Sequence, residues 1–380
     1  MRILLINDFL YAGGAEVVFL RMESALRDLG NEVDMFYWKD RKCMADNPLD
    51  YVYNFKSASA LEHRLLGHRY SLIIVLNYTS ALSPSVLGVL KKYKKSQHFK
   101  VIYNSHDAHL ICPNSGLNFF SHGRPQLFDE YTGCRGFMFK CLDHRGRIYS
   151  CLKKIQWLLA YRVLHLHKVI DKVISPSHAL LGRIRKFYPD LEGCVIRNPC
   201  LESVDVQERC KSGNKSLKLI FIGRLSDEKG LLPLIDALTG TDSLYVLDIF
   251  GSGPQEQEIR TAISQNGLDG KVNLNGHKSH KEIMELLGHY DALILPSVMS
   301  ETAPMSIVEA ASKKLFVLTM DYGGMKEMAE RVGNYVFINP ISARVLDEAF
   351  ETIRHKEFSH TDLTDFTYES YKDALRRELM

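Results

Sequence analysis

The sequence feature that most constrains the fold is a regular alternation between short apolar runs and segments of helical periodicity. In the first half, the apolar runs typical of buried strands are residues 2–8, 32–38, 72–77, 100–107, 172–177 and 194–199. Between the first two runs, Val17, Met22 and Leu29 fall on one helical stripe, and Gly30 is placed to end that helix. Strands that alternate with helices indicate βαβ units and a parallel sheet covered on both faces.

A second alternating series follows a polar stretch at residues 201–216, which we interpret as a linker. Its strand-like runs are residues 217–225, 244–253, 272–276, 291–297, 315–324 and 335–339. We therefore predict an α/β protein with two doubly wound, Rossmann-like domains, residues 1–205 and 215–365, that face each other across a cleft. Such folds bind ligands outside the carboxyl ends of their strands. The last segment, residues 366–380, is predicted to be a helix that packs back on the first domain.

Composition excludes several functional classes. The formal net charge of +3 is too small to indicate a nucleic-acid-binding protein, and no motif of that class is present. No apolar run reaches the roughly 18–20 residues that a membrane-spanning helix needs. Asn7 and Asp8 interrupt the first run before it resembles the core of a signal peptide. We therefore expect a cytoplasmic protein, in which most of the eight cysteines are reduced.

Two cations follow the first strand of the second half. In the stretch FIGRLSDEKG, the strand ends at Gly223 and Arg224, and Lys229 comes just before a helix that opens at Gly230. Two cations five residues apart, beside a helix amino terminus, suit a bound diphosphate. The alternative interpretation is that both side chains are solvated on a surface turn.

The stretch of residues 295–328 favours the diphosphate interpretation. It is typical of a strand, a loop and a helix that begins near Pro304. Free backbone N–H groups at residues 303–306 would hold anionic oxygens. Glu301 would point at the group attached to the phosphates, and Glu309 would accept hydrogen bonds from a vicinal diol such as a ribose. A carboxylate near a helix start is also an ordinary partner of the helix dipole.

Three stretches of this chain resemble the signature segments of the retaining GT-B glycosyltransferases of family 4: GRLSDEKG, LPSVMSETAPMSIVEAASKK and DYGGMKEM. Glu301 and Glu309 match the spacing of that family's E-x7-E motif. The stretches AGGAE at residues 12–16 and NSHD at residues 104–107 are similar to segments at corresponding places in the family. The resemblance covers nearly the whole chain.

The resemblance implies roles for individual residues around a nucleotide-sugar donor. Arg224 and Lys229 would bind the donor pyrophosphate. Glu309 would hold the ribose, and Glu301 would hold hydroxyl groups of the donor sugar. The donor site would further include Gly223 and the loop residues Thr302, Ala303, Pro304, Met305 and Ser306.

The resemblance also implies contributions from other loops. Gly13 and Gly14 would let the first loop approach the donor closely, and His106 would face the sugar or the acceptor. His277 and Lys278 occupy the place of the base pocket. The chain departs from the commoner family pattern because it has ETAP where many relatives carry E-G-F-G, and this change leaves the donor sugar undefined.

The implied activity is transfer of a sugar from a UDP- or GDP-type donor with retention at the anomeric carbon. A double displacement would need a carboxylate nucleophile beneath the sugar, and the sequence offers no strong candidate. The favoured mechanism is attack on the same face, in which the leaving phosphate oxygen accepts the proton of the acceptor. Arg224, Lys229, Glu301 and His106 would then be the catalytic residues. This chemistry requires no Mg²⁺, and we expect no obligatory cofactor.

Four cysteines lie within an irregular segment at about residues 108–152, which we interpret as an insert in the first domain. Cys112, Cys134, Cys141 and Cys151 would supply the four thiolates of a structural zinc site. Their gaps include no C-x2-C pair, so plain buried or free thiols are the alternative.

A basic stretch in the first domain contains Lys91, Lys92, Lys94 and Lys95. One interpretation is a solvated helix end. The other is a peripheral contact with anionic lipid at the inner face of the plasma membrane. That contact would suit a glycan or polyprenyl-diphosphate-linked acceptor in the synthesis of capsule, O-antigen or exopolysaccharide.

Two other functional classes fit a doubly wound fold. A nicotinamide dehydrogenase would carry G-x-G-x-x-G after its first strand, and NDFLYAGGAE has only the Gly13-Gly14 pair. A non-catalytic, nucleotide-sugar-binding regulatory subunit would use the same donor site without transfer. The presence of Glu301, Glu309 and both cations favours the enzyme.

Overall fold

The computed structural model describes residues 1–10, 14–38, 48–128, 136–202 and 216–379. The chain forms two compact units. The first contains Met1–Gly123, Phe128–Pro199 and Tyr368–Met380. The second contains Arg124–Leu127 and Cys200–Thr367. Most of the predicted linker, residues 203–215, lies outside the described residues.

The first unit is built on a six-stranded parallel sheet with the strand order β2-β1-β3-β4-β7-β8. Its strands are β1 (Arg2–Asn7), β2 (Glu32–Tyr37), β3 (Leu72–Val75), β4 (Lys100–Asn104), β7 (Lys172–Ser175) and β8 (Glu192–Val195). Its helices are α1 (Gly14–Asp28), α2 (Pro48–Val52), α3 (Phe55–Gly67), α4 (Ser85–Gln97), α5 (Arg147–Trp157) and α6 (His178–Phe187). Two short strands follow β4, namely β5 (Asn118–Ser121) and β6 (Arg124–Leu127), of which β6 belongs to the second unit.

The second unit contains another six-stranded parallel sheet, with the strand order β11-β10-β9-β12-β13-β14. Its strands are β9 (Leu217–Ile222), β10 (Tyr245–Phe250), β11 (Val272–Leu274), β12 (Ala292–Leu295), β13 (Phe316–Thr319) and β14 (Tyr335–Phe337). The helices are α7 (Leu231–Leu238), α8 (Glu256–Gln265), α9 (His280–Leu287), α10 (Met305–Ser312), α11 (Gly323–Val332) and α12 (Ala343–His355).

Each sheet is buried on both faces, as continuous apolar runs predict. In the first unit, Leu4 and Ile73 pack into one buried cluster, whereas Ile3 and Leu5 pack into another on the opposite face. Side chains alternate along a strand, so neighbouring residues of β1 serve different faces. The predicted α/β class with two doubly wound sheets is confirmed.

The last helix, α13 (Tyr368–Leu379), belongs to the first unit. The hydroxyl of Tyr368 donates to a carboxylate oxygen of Asp28 over 2.9 Å, and Lys172 Nζ lies 2.7 Å from Glu378 Oε2. Tyr371 is buried in the cluster that contains Ile3 and Leu5. None of the helices in the described part of the chain has the length and apolar content that a membrane crossing requires.

Candidate functional site

The strand order of the second unit creates a crevice at one edge of its sheet. Strand β9 lies between β10 and β12, so the connections that leave β9 and β12 run to opposite sides. Ligands of doubly wound folds bind at such a point, outside the carboxyl ends of the strands. A Cβ atom on Gly230 would lie 2.1 Å from the carbonyl oxygen of Pro296, so the loops after β9 and β12 are in direct contact.

Lys229 and Glu301 meet in this crevice. Lys229 ends a 3-10 turn (Asp227–Lys229), and its Nζ atom lies 3.0 Å from Oε1 of Glu301. The hydroxyl of Ser297 donates to the same carboxylate. The Lys229 side chain is 20% exposed and that of Glu301 is 13% exposed, so the ammonium and the carboxylate are screened less than a surface pair. Gly223 packs closely on the ring of Phe221, since a Cβ atom there would lie 3.2 Å from Cζ of Phe221.

The amino terminus of α10 provides backbone donors beside Glu301. Pro304 is its N-cap residue, and no side chain caps this end of the helix. The N–H groups of the first helical residues, Met305 and Ser306, have no carbonyl partner within a helix. Met305 and Ser306 are half-buried, as are Thr302 and Ala303 in the preceding loop. An uncapped helix end beside a lysine can bind an anion.

Two glycines bring the start of α11 against the loop that carries Glu301. A Cβ atom on Gly324 would lie 2.0 Å from the carbonyl oxygen of Thr302, and one on Gly323 would lie 2.2 Å from Oγ of Ser300. The backbone N–H of Gly324 donates to the Glu301 carbonyl over 2.8 Å. The segment DYGG therefore packs directly against the loop that carries Glu301.

Glu309 is buried on α10 and contacts a residue that the sequence did not predict. Its Oε1 atom lies 3.0 Å from Nε2 of His280, the first residue of α9. Ser279 caps α9 in a reciprocal capping box with Glu282, and this cap fixes the position of His280. The Ser279-x-x-Glu282 spacing is the sequence signal that marks this helix start.

The remaining donor-site candidates of the second unit are exposed. Arg224 follows the carboxyl end of β9 and is exposed. His277 and Lys278 lie in the loop between β11 and α9, and Lys278 Nζ is 3.3 Å from a Glu282 oxygen. The structure therefore brings Lys229 and Glu301 into contact, whereas Arg224, His277 and Lys278 are exposed.

The predicted site residues of the first unit follow β1 and β4. Gly14 is exposed at the start of α1, and Gly13 lies outside the described residues. His106 is half-buried after β4, and desolvation lowers its pKa to about 4. Burial raises the pKa of the adjacent Asp107 to about 6, although Oδ1 of Asp107 accepts the N–H of His109 over 2.8 Å. His106 is therefore neutral near pH 7.

Asp8 and His109 organise this part of the first unit, and neither was predicted to be a site residue. The Asp8 carboxylate accepts the N–H groups of Ser80, Ala81 and Leu82 over 2.8, 3.0 and 2.9 Å. Burial nevertheless raises its pKa. The His109 ring is buried against tyrosine rings, and desolvation lowers its pKa to about 3. Neither residue belongs to a motif that periodicity or spacing can reveal.

The proposed four-thiolate zinc site is wrong. Cys112 is buried and disulfide-bonded, so its sulfur is not a free thiolate. Cys134 lies outside the described residues, whereas Cys141 and Cys151 are free thiols. No group of three or more His, Cys, Asp or Glu side chains in the described ranges is arranged to hold a metal ion. Cys141 and Cys151 have the reduced state that we expected for most cysteines, whereas Cys112 does not.

The basic stretch on α4 is partly neutralised. Lys92 Nζ lies 2.6 Å from a Glu62 oxygen, and Lys94 Nζ lies 2.6 Å from an Asp171 oxygen. Lys91 is exposed and donates to the carbonyl of Leu164 over 2.7 Å, and Lys95 is exposed. Two of the four cations are therefore committed to neighbouring carboxylates.

Comparison with known proteins relates the second unit to a described family. Residues 206–372 match the family model "Glycosyl transferases group 1". The chain is 30% identical over 125 residues to the amylovoran biosynthesis glycosyltransferase AmsK of Erwinia amylovora, a match that covers 31% of each chain. It spans less than half the length of this and other curated relatives.

Longer matches extend over both units. The chain is 25% identical over 308 residues to the GDP-mannose:cellobiosyl-diphosphopolyprenol alpha-mannosyltransferase of Xanthomonas campestris, covering 77% of this chain and 73% of that protein. Anabaena HepE, solved in complex with UDP and glucose, superimposes with a TM-score of 0.64 at 17% identity, covering 100% of this chain and 99% of that chain. This likeness confirms the predicted GT-B fold.

Proposed function

We propose that the chain, whose residues 206–372 match the model of the group 1 glycosyl transferases, transfers a sugar from a nucleotide-diphosphate donor with retention at the anomeric carbon. The observation that carries the proposal is the convergence of Lys229, Glu301 and the uncapped start of α10 at the β9–β12 crevice. A cation, a carboxylate and free backbone donors are the groups that a sugar diphosphate needs.

Binding begins with the diphosphate in this proposal. Lys229 and the N–H groups at Met305 and Ser306 hold its oxygens, and the exposed Arg224 closes on it from the rim. Because Lys229 is already paired with Glu301, the incoming diphosphate replaces the carboxylate as the nearest anion. Glu301 is then free to accept hydrogen bonds from sugar hydroxyls. Glu309, oriented by His280, accepts those of the ribose.

Charge stabilisation supplies the catalysis. Negative charge develops on the leaving diphosphate as the glycosidic bond breaks, and Lys229, Arg224 and the helix end stabilise it. The leaving oxygen accepts the proton of the acceptor hydroxyl on the same face of the sugar. The neutral ring of His106 is assigned to contact with the sugar or the acceptor. Lys229 and Arg224 offset the negative charge of the diphosphate, so the transfer needs no metal ion.

We assign the donor to the UDP or GDP class and the acceptor to glycans carried on a lipid diphosphate. The names of two similar proteins support these classes: the Xanthomonas relative uses GDP-mannose and a diphosphopolyprenol acceptor, and HepE was solved with UDP. The names of the shorter matches support a role in the synthesis of bacterial surface polysaccharides. We assign this role to the cytoplasm, at the inner face of the plasma membrane.

The test is a thermal-shift screen of the purified chain against UDP, GDP, ADP, CMP and their sugar conjugates. We expect one diphosphate series to raise the melting temperature, and we expect Arg224→Ala and Glu309→Ala to abolish that rise. Lys271→Ala is the matched control, because Lys271 is exposed before β11 at the opposite edge of the sheet. No shift with any nucleotide, with or without a polyprenyl-diphosphate glycan, would refute the proposed donor site.

A regulatory subunit that binds the donor without transfer is the competing function. Incubation of the bound donor with lipid-linked glycans separates the two. Release of the nucleoside diphosphate together with an extended glycan identifies the transferase. Tight donor binding without consumption across a panel of acceptors would instead identify the regulatory subunit.

A further inference from the structure

Helix α5 of the first unit exposes apolar side chains and buries polar ones. Ile148, Cys151 and Ile155 lie at i, i+3 and i+7 and share one face, which is exposed. On the opposite side, Ser150 and Gln156 are buried. Trp157 at the end of the helix is buried as well, so the inner face of α5 is mixed. The outward position of Ile148 and Ile155 is unusual, because the aliphatic residues of a surface helix normally face the core.

The buried polar contacts hold α5 in this orientation. Gln156 Nε2 donates to the carbonyl of Thr79 over 3.1 Å, and Ser150 Oγ accepts a backbone N–H over 2.9 Å. Lys153 Nζ lies 3.0 Å from Oδ2 of the buried Asp143. Rotation of the helix to bury its apolar face would leave these groups without partners, at a cost of about 1–3 kcal/mol each. The apolar face therefore stays turned outward.

The exposed apolar surface continues on both sides of α5. The preceding 3-10 turn (Phe137–Phe139) packs on the helix through the rings of Phe137 and Trp157, and its Phe139 side chain is 93% exposed. A π-helix (Leu158–Val163) follows α5 directly. Ile148 is 77% exposed and Val163 is 64% exposed. We call residues 137–164 the α5 surface.

The charge around the α5 surface has one sign. Residues 136–168 contain seven lysines and arginines and a single acidic residue, Asp143, which is buried and paired with Arg145 and Lys153. The whole chain has a net charge of only +3, so residues outside this segment carry a net negative charge. Arg147, Arg162 and Lys168 are exposed beside the apolar side chains. Exposed cations interleaved with large apolar groups are typical of surfaces that lie in a lipid headgroup layer.

We propose that the α5 surface docks on an anionic lipid bilayer, with Phe139, Ile148 and Val163 inserted among the headgroups. Its charge favours an anionic lipid surface over a second copy of the chain, because a two-fold contact would place its cations against one another. Lys91, whose Nζ donates to the carbonyl of Leu164, adds a further cation at one end. This inference rests on the proposed function, because a lipid-linked acceptor is the reason for the enzyme to bind a membrane.

The test is co-sedimentation of the full chain with vesicles. Wild-type protein should sediment with phosphatidylethanolamine–phosphatidylglycerol vesicles and remain in solution with phosphatidylcholine vesicles. A variant carrying Phe139→Ser, Ile148→Ser and Val163→Ser should partition about tenfold more weakly or worse. Arg147→Glu with Lys168→Glu should weaken binding at low salt. Leu66→Ser with Leu244→Ser is the matched control, because both leucines are strongly exposed outside the α5 surface.

Retention of binding by the control variant, with loss in the serine and glutamate variants, supports the proposal. The proposal is overturned if wild-type protein does not bind anionic vesicles, or if it binds neutral vesicles equally well. It is also overturned by a wild-type dimer that the serine substitutions dissociate without any binding to vesicles. The nucleotide thermal shift of the serine variant separates the two proposals. If the serine variant keeps the nucleotide-induced rise in melting temperature, its donor site is intact. If no nucleotide raises the melting temperature of the wild-type chain, the proposed function is contradicted, whatever the vesicle result.

Discussion

The ammonium group of Lys229 lies 3.0 Å from a carboxylate oxygen of Glu301, although the two residues are 72 positions apart in the chain. The pair joins the loop after β9 to the loop after β12, and Ser297 donates to the same carboxylate. Lys229 is thereby held at the crevice before a donor arrives. A preorganised cation loses little conformational entropy when a diphosphate binds, so more of its attraction is available to the transition state.

We therefore predict that Lys229→Ala is folded but nearly inactive. Loss of a charge-stabilising group should raise the barrier by about 2–4 kcal/mol, which lowers turnover by roughly 30- to 1000-fold. Turnover is to be measured at saturating donor, so that weaker donor binding is not mistaken for a slower transfer step. The control Lys271→Ala should keep wild-type turnover. A wild-type rate for Lys229→Ala under these conditions would remove Lys229 from the mechanism.

Glu309 and His280 should contribute unequally to donor affinity. Glu309→Ala removes the carboxylate that the proposed function assigns to the ribose, so the dissociation constant should rise by about one to two orders of magnitude. His280→Ala leaves the carboxylate in place without its 3.0 Å partner and should weaken binding by only a few-fold. Isothermal titration with the nucleoside diphosphate measures both effects. Glu285→Gln, on the exposed side of α9, should bind like wild type. Equal affinities for Glu309→Ala and wild type would place the ribose elsewhere.

Asp107 should make the first unit less stable as pH rises. Its folded-state pKa of about 6 lies above the ordinary value of 3.8, because burial disfavours the carboxylate. A carboxyl group with a raised pKa binds its proton more tightly in the folded state. Its contribution to stability is therefore complete below about pH 4 and is lost as pH rises through 6. Asp107→Asn does not titrate, so it should gain stability relative to wild type between pH 4 and 8, by roughly 2–3 kcal/mol.

Melting temperatures of both proteins across this pH range provide the measurement. The difference between Asp107→Asn and wild type should grow from pH 4 to pH 8. Asp171→Asn is a suitable comparison, because Asp171 is more exposed and is paired with Lys94. A difference between Asp107→Asn and wild type that does not change with pH would mean that Asp107 is not held in its protonated form by the fold.

Much of the fold follows from patterns in the sequence. The runs at residues 2–8 and 217–225 contain β1 and β9, because a short apolar run that alternates with helical segments is typical of a strand buried on both faces. The E-x7-E spacing placed Glu301 in a loop and Glu309 on a helix, and both lie there. Periodicity shows where apolar and polar side chains fall along the chain. This is enough to predict an element whose burial depends only on whether its side chains are apolar.

Other features depend on contacts that the sequence does not encode locally. The partnership of His280 with Glu309 joins residues 29 positions apart, and only the packing of α9 beside α10 brings them together. Periodicity does not predict the outward apolar face of α5, because polar residues of this helix find partners in other segments. Four similar cysteines suggested a zinc site, yet Cys112 is disulfide-bonded, and composition cannot distinguish these outcomes.

Chelation of divalent metals should leave the transfer rate unchanged. The proposed mechanism neutralises the diphosphate with Lys229, Arg224 and the start of α10, so no Mg²⁺ is required to offset its charge. Activity with excess EDTA should equal activity with Mg²⁺, and the melting temperature should not fall. Loss of activity in EDTA with recovery on addition of Mg²⁺ would show that a metal ion carries part of the charge assigned to these residues.

Gly324 should be intolerant of even one added methyl group. A Cβ atom at this position would stand 2.0 Å from the carbonyl oxygen of Thr302 and 2.6 Å from that of Glu301. Both obstacles are backbone atoms, so the loop that carries Glu301 must move in a Gly324→Ala variant. Displacement of a packed loop costs about 1–3 kcal/mol of stability and shifts the Glu301 carboxylate from its place beside Lys229.

Gly288→Ala is the matched control for this substitution. Gly288 follows α9 with an ordinary helical φ of −60°, and nothing lies within 4 Å of an added Cβ atom there. Its melting temperature and donor affinity should match those of wild type or rise slightly, since alanine restricts the unfolded chain. Gly324→Ala should lose both thermal stability and donor affinity, measured by melting and by titration with the nucleoside diphosphate. If Gly324→Ala binds donor as tightly as Gly288→Ala does, the position of the Glu301 loop is not what the donor site depends on.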